Sequence, residues 1–248
     1  MAFKPIRLIN KMLGRSTSER PYPPDFDAFH IGIIQKVRPY TMTSPERLFA
    51  LIEAVRYVVN NDIPGSFVEC GVWKGGSMMA IAETLTQLKV TDRQLYLYDT
   101  FAGMPPPTEE DKTYSEQTAE SLLKKEADVK EESVVWAYSN LAEVKANIGQ
   151  IAYSSANIHF IEGDVLQTIP TNDPGQIALL RLDTDWYEST RHEMIHFYPK
   201  LVGSGVLIID DYGFWKGSRK AVDEYLEHHR INLLLNRIDD TGRSAIKP

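Results

Sequence analysis

Cysteine is nearly absent from this sequence: Cys70 stands alone in 248 residues. That excludes a disulfide framework and any cysteine-based zinc cluster, and it suits a reducing cytoplasm. Long apolar runs are missing too, since a membrane span needs roughly 18 residues. The longest run, Gly205-Val206-Leu207-Ile208-Ile209, is strand length. Positive charge is in deficit, with 27 Lys+Arg against 34 Asp+Glu and a net charge of −7. A general nucleic-acid binder wants a basic surface, so that class is disfavoured. What remains is ordinary: 43% hydrophobic, 10% aromatic and 25% charged residues exclude whole-chain disorder. The length suits one large α/β domain or at most two small ones.

The first forty residues read as an arm and linker, with a single domain over 41–248. Lys4, Arg7, Lys11, Arg15 and Arg20 interleave with Ile6, Leu8, Ile9, Met12 and Leu13. Asn10 and Lys11 break the apolar stretch a signal peptide would need. The arm reads as packing on its own domain or on a partner subunit, which makes a homo-oligomer an expectation. A membrane-surface helix is the weaker alternative, and no stable membrane insertion is expected. Pro21-Tyr22-Pro23-Pro24 forms a stiff linker. Ser44-Pro45-Glu46 then opens a helix with a cap, a first-turn proline and an acid. Its apolar face is Leu48, Leu51, Ile52, Val55 and Val59.

Short apolar runs alternate with amphipathic ones from there. Strands are expected at 67–70, 95–99, 157–161, 177–182 and 205–210, with helices at 76–88 and 188–201. This rhythm predicts a mostly parallel, doubly wound α/β sheet. Asp239-Asp240-Thr241-Gly242 reads as a hairpin turn between 232–237 and 243–246, giving an antiparallel C-terminal edge. One insertion breaks the rhythm. Residues 109–132 are rich in acids, and two readings stay open for 104–135: a solvated surface helix, or a lid over the site.

The first strand runs into Glu69-Cys70-Gly71-Val72-Trp73-Lys74-Gly75-Gly76-Ser77. Glycines there let the backbone turn sharply and approach a ligand. The spacing is neither the G-x-G-x-x-G dinucleotide fingerprint nor a P-loop. Asp99, followed by Thr100, ends the second strand where an acid accepts from a ribose diol. Glu69 suits a cationic ligand. Gly163-Asp164-Val165, after the third strand, puts an acid near an adenine amino group. Ribose, amine and sulfonium together match S-adenosylmethionine, with Glu69, Gly71, Gly75, Ser77, Asp99, Thr100, Gly163, Asp164 and Val165 as its contacts.

Strands four and five end in Asp183-Thr184-Asp185 and Asp210-Asp211. Parallel strands bring all four carboxylates to one edge, where they would repel strongly without a cation. Oxygen ligands of this kind suit Mg²⁺ or Mn²⁺. A competitor is His192-Glu193-Met194-Ile195-His196, the literal zinc-peptidase pattern. On a crossover helix with no clear third ligand, it is the remote alternative.

These motifs resemble the macrocin O-methyltransferases (TylF-like), metal-dependent enzymes that methylate sugar hydroxyls on antibiotics. The resemblance rests on the 67–77 string, Tyr98–Pro105, Arg181–Thr190 and Asp210-Asp211-Tyr212, and runs from about residue 40 to the end. It implies a Rossmann-like class I methyltransferase sheet, S-adenosylmethionine and Mg²⁺. Asp183, Asp210 and Asp211 become the metal ligands, with Asp183 also beside the cofactor and Asp185 the general base. Met42 and Thr43 reach the cofactor on this resemblance alone. Two neighbouring hydroxyls would bind a metal better than one, so a vicinal diol on a sugar is the expected acceptor. A catechol offers the same two oxygens and stays open, as does a non-enzymatic nucleoside-binding module.

Overall fold

The computed structural model describes residues 22–248. The basic N-terminal arm, and the oligomer expectation attached to it, lie outside the described residues. Among the described residues the sheet has seven strands: β1 (Ser66–Cys70), β2 (Leu95–Asp99), β3 (Ile158–Glu162), β4 (Ile177–Leu182), β5 (Leu201–Ile209), β6 (Asn236–Arg237) and β7 (Arg243–Ile246). Their spatial order is β3-β2-β1-β4-β5-β7-β6. The first five are parallel, and β7 pairs antiparallel with both β5 and β6. The expected antiparallel C-terminal edge is present.

Alternation along the strands makes two cores. Phe67, Leu97, Leu179 and Ile208 face a layer built with Ile33, Leu48, Ile52 and Ile81. Val68, Tyr98, Leu180 and Ile209 face Met194, Phe197 and Val222. Both strand faces are therefore covered, which is why β1 and β4 are buried along their whole length. The first layer includes α1 (Ala28–Val37), α2 (Pro45–Asn60) and α3 (Gly76–Gln87).

Helix α2 begins as expected, with the Ser44 hydroxyl accepting from the Arg47 amide and Pro45 in the first turn. The boundary expected at residue 40 does not separate an arm from a domain. Ile33, Ile34 and Val37 of α1 are fully buried in the first core. The Asp27 side chain caps α1 by accepting from the Phe29 and His30 amides.

Within the insertion lies α4 (Ala119–Lys125), followed by α5 (Leu141–Ile148). The second face carries the short α6 (Val165–Thr168), α7 (Tyr187–Phe197) and α8 (Lys216–His228). Strand β5 starts at Leu201, earlier than the apolar run at 205, because Gly203 and Ser204 are exposed and break the hydrophobic pattern. The strand order reverses between β1 and β4, so a crevice opens above their carboxyl ends.

Candidate active site

Above that crevice lies a cavity of about 380 Å³. Its floor is the loop after β1. Gly71 has φ +83°, and a Cβ there would overlap the Asp183 carbonyl oxygen. Only glycine therefore lets the ends of β1 and β4 meet. Gly75, at φ +90°, caps α3. Asp99 holds the loop from the side, accepting from the Val72 amide (2.6 Å), the Trp73 amide (3.2 Å) and the Phe101 amide (2.7 Å). Burial raises its pKa, against the pull of those amides.

Of the residues expected to meet the cofactor, Met42, Thr43, Gly71, Ser77, Asp99, Thr100, Asp164, Val165 and Asp183 all line the cavity. Gly75 and Gly163 do not line it, but shape the backbone behind it with positive φ. Glu69 does not line it either. It is 1% exposed, paired through Oε1 with Arg181 at 2.7 Å. Its Oε2 has no partner, and burial pushes the carboxyl to about 7 despite Arg181. The expectation that Glu69 faces a cationic ligand missed this arginine, which consumes its charge.

The second wall holds the carboxylates. Asp183, Asp185 and Asp211 each offer an oxygen, all within 4.8 Å of one another. Asp210 is close by but differently engaged. Its Oδ1 accepts from Arg181 at 2.6 Å, and its Oδ2 is bonded by Arg47. Burial lifts Asp183 well above the usual carboxylate range, with Arg181 opposing and Asp210 and Asp211 adding to it. Burial does the same to Asp211, helped by the charge of Asp185, and brings Asp185 to about 7. The Asp211 Oδ2 is buried without a hydrogen-bond partner. One orphaned oxygen among mutually repelling carboxylates makes a donor set that fits a hard divalent cation. The Asp210 oxygens fit it too, because each carboxylate oxygen has a second lone pair beyond the one a guanidinium uses. Asp185 sits at φ +68°, a conformation that aspartate tolerates better than most residues.

The zinc-peptidase pattern is not assembled. Glu193 is fully buried beneath the sheet, where its Oε1 accepts from the Thr184 hydroxyl at 2.9 Å. His192 and His196 lie on the outer side of α7, with His192 Nε2 2.8 Å from the Ile169 carbonyl oxygen. Among the described residues, the one group of three or more candidate ligands is the aspartate cluster. Helix packing explains the split: a residue one step after His192 points into the sheet while the histidines point away.

Glu193 has a separate consequence. Burial raises its pKa to about 8, against the Thr184 hydrogen bond. A carboxyl raised above its unfolded value stabilises the fold at low pH, and that contribution disappears as pH climbs through 8. Glu193→Gln lacks the titration. Between pH 6 and pH 9 the stability gap should move in favour of the variant by about 1–3 kcal/mol. Urea unfolding at the two pH values measures it, and a gap independent of pH would mean that Glu193 does not titrate there.

The acidic insertion is an ordered wall. Met104, Pro105, Val134, Val135 and Ala137 line the cavity. Asp111 is fully buried and accepts from the Thr108 amide and from the Tyr187 amide at 2.7 Å, which caps the start of α7. Leu123, Trp186 and Trp215 pack together beneath it, and Trp186 Nε1 donates to the Pro105 carbonyl. Sequence reasoning also passed over Arg181 and Arg47. The signal for Arg181 was present: a charged residue inside the apolar run 177–182 must be paired to be buried.

The chain matches the family described as Macrocin-O-methyltransferase (TylF) over residues 34–244. It is 32% identical over 220 residues to the 8-demethyl-8-(2,3-dimethoxy-alpha-L-rhamnosyl)-tetracenomycin-C 4'-O-methyltransferase of Streptomyces olivaceus, covering 88% of this chain and 80% of that one. It is 32% identical to the demethyldecarbamoylnovobiocin O-methyltransferase of Streptomyces niveus, over 82% of this chain and 74% of that one. Among solved structures, the O-methyltransferase NovP superposes with a TM-score of 0.73 at 31% identity, over 84% of this chain and 82% of that one. A methyltransferase of Podospora anserina bound to S-adenosylhomocysteine shares the fold, with a TM-score of 0.51 at 14% identity, over 100% of this chain and 98% of that one.

Proposed function

From the premise that this chain belongs to the macrocin O-methyltransferase (TylF) family and is an O-methyltransferase, we propose that it methylates a sugar hydroxyl, using S-adenosylmethionine and Mg²⁺ or Mn²⁺. The observation that carries this reading is the convergence of the Asp183, Asp185 and Asp211 oxygens beside the glycine-loop cavity. The acceptor class draws on a relative whose name includes a rhamnosyl group.

Asp183, Asp210 and Asp211 hold the cation in this reading, and Asp185 is the base. S-adenosylmethionine supplies an electrophilic methyl group, and a divalent cation supplies Lewis acidity that makes a sugar hydroxyl a stronger acid. The chain does the rest. Asp99, Ser77 and the Gly71 turn bind and orient the nucleoside side of the cavity. Asp185 takes the hydroxyl proton onto a carboxylate oxygen as attack begins. Trp215, Phe214 and the wall from the insertion exclude water and fix the acceptor against the methyl donor, and such positioning supplies much of the rate. Asp185 lies on the same edge as the cation ligands, so deprotonation and orientation act on one hydroxyl.

The test begins with calorimetric titration of S-adenosylhomocysteine. A screen of sugar diols and catechols for S-adenosylhomocysteine release follows, with Mg²⁺ and with EDTA. Release from sugar diols that EDTA stops is the expected result. Release that ignores EDTA would remove the cation, and release from catechols alone would replace the acceptor class. The insertion at 104–135 acts in this reading as a lid. Proteolysis within it should slow several-fold when cofactor and acceptor are both bound, as local opening becomes rarer. An unchanged cleavage rate would leave it a fixed wall.

A further inference from the structure

We infer that Arg181 is a positioning residue for the carboxylate site, fixing the separation of Asp183 and Asp210 from inside the sheet so that a divalent cation meets a preset ligand frame. The inference rests on the cation reading above.

Arg181 is 2% exposed between Leu180 and Leu182. A buried guanidinium is tolerated only when its donors are used, and here they reach four elements of the fold. Nη1 donates to Glu69 Oε1 at 2.7 Å and to Asp183 Oδ2 at 2.6 Å. Nη2 donates to Asp210 Oδ1 at 2.6 Å and to the Thr43 hydroxyl at 3.2 Å. The partners come from β1, from the ends of β4 and β5, and from the segment before α2.

A planar fork keeps its two terminal nitrogens at a fixed distance, so the two carboxylates they hold are spaced by covalent geometry. The frame is braced on its far side. Arg47 bonds the second oxygen of Asp210 and also Asp239 Oδ2 at 3.0 Å. Asp239 in turn accepts from the Ser44 hydroxyl at 2.6 Å. Glu69, buried and turned away from the cavity, holds the other side of the fork. Among the described residues no basic side chain pairs with Asp185 or Asp211, so the oxygens of these two are not taken by a guanidinium. Arg181 thus separates the braced carboxylates from the free ones.

The test is Mn²⁺ titration of the whole chain by calorimetry, with S-adenosylhomocysteine titrated independently. Arg181→Lys keeps the charge but loses the fork. Its Mn²⁺ dissociation constant should rise about 10-fold or more, the usual scale for losing a partner that orients a ligand. Its S-adenosylhomocysteine affinity should stay within about 3-fold. Mn²⁺ affinity within about twofold of the parent, or parallel loss of both ligands, overturns the inference. A parent chain that binds no Mn²⁺ removes the cation reading itself and is thereby distinguishable. If Arg181→Lys does not fold, Glu69→Gln decides, because its amide oxygen still accepts from Nη1. Neutralising Glu69 shifts the guanidinium charge toward Asp183, so Mn²⁺ should weaken by about 3-fold or more with the cofactor unaffected. Weakened cofactor binding with Mn²⁺ unchanged would make Glu69 a cofactor residue and defeat the inference.

Discussion

Asp185→Asn is expected to lower turnover by about 10²–10⁴-fold, the contribution usual for a positioned general base. Cofactor and Mn²⁺ affinity should stay within about 3-fold. The substitution is suited to the question because it keeps the shape of the site. Asn tolerates a positive φ as Asp does, so the turn at φ +68° survives. What is lost is the ability to accept a proton. Asp183, Asp210 and Asp211 remain to hold the cation, so the two roles come apart. Single-turnover kinetics and Mn²⁺ calorimetry on the same preparation give the answer. If Mn²⁺ affinity collapses along with turnover, Asp185 is a ligand and the base lies elsewhere. Full turnover removes it from the chemistry. The comparison is informative because Asp185 shares the close oxygen cluster while Asp210 is held by two arginines.

The second large effect is structural. Gly71→Ala should destabilise the fold by roughly 3–5 kcal/mol, combining a strained left-handed conformation with overpacking. It should also abolish measurable cofactor binding. The added methyl meets the backbone of Asp183 and Thr184, which cannot rotate aside as a side chain could. One bond ties this junction directly, from the Asp183 amide to the Cys70 carbonyl (2.8 Å), while the Gly71 amide is held from the β2 side by the Tyr98 carbonyl (2.9 Å). Separating the strands breaks the floor of the cavity and displaces Asp183 in one motion. Gly75→Ala is the control. Its φ is also positive, but its nearest neighbours are the side-chain ends of Ile148 and Val144 at 3.1–3.3 Å, which can shift. The cost there should stay near 1–3 kcal/mol. Equal losses at the two positions by urea unfolding would show that conformational strain alone, without the contact to Asp183, sets the effect.

These two positions also show what a reader of the sequence can see. Aliphatic runs that end in an acid, at Asp99, Asp183 and Asp210, mark strands and place their last residues at one edge. The parallel sheet and the carboxylate wall follow from that pattern. Partners brought in from far along the chain do not. Nothing local to Asp210 announces Arg47, more than 160 residues earlier, and nothing near Glu69 announces that Arg181 takes its charge. Helix α1 was hidden for a related reason. Its buried face of Ile33, Ile34 and Val37 follows a proline-rich stretch that reads as linker, and only the tertiary packing against α3 reveals it. The histidine pattern misled in the opposite sense, because a motif written along a helix does not say which residue faces the sheet.

The insertion is fastened to the carboxyl edge of the sheet itself. Asp111 closes the first turn of α7, Thr113 pairs with Trp215, and the Tyr114 amide donates to the Phe214 carbonyl. Gly217 leaves room for Asp111, since a Cβ there would strike its carboxylate. The wall is therefore a module with a defined socket. Recombining it with the corresponding segment of a relative, to retarget the acceptor, requires moving the plug and the socket together. A graft that carries 104–135 but brings a side chain to position 217, or loses the acid at 111, would uncap α7 at the residue that follows Trp186. The loop carrying Asp183 and Asp185 would then be disturbed by a change made for specificity alone.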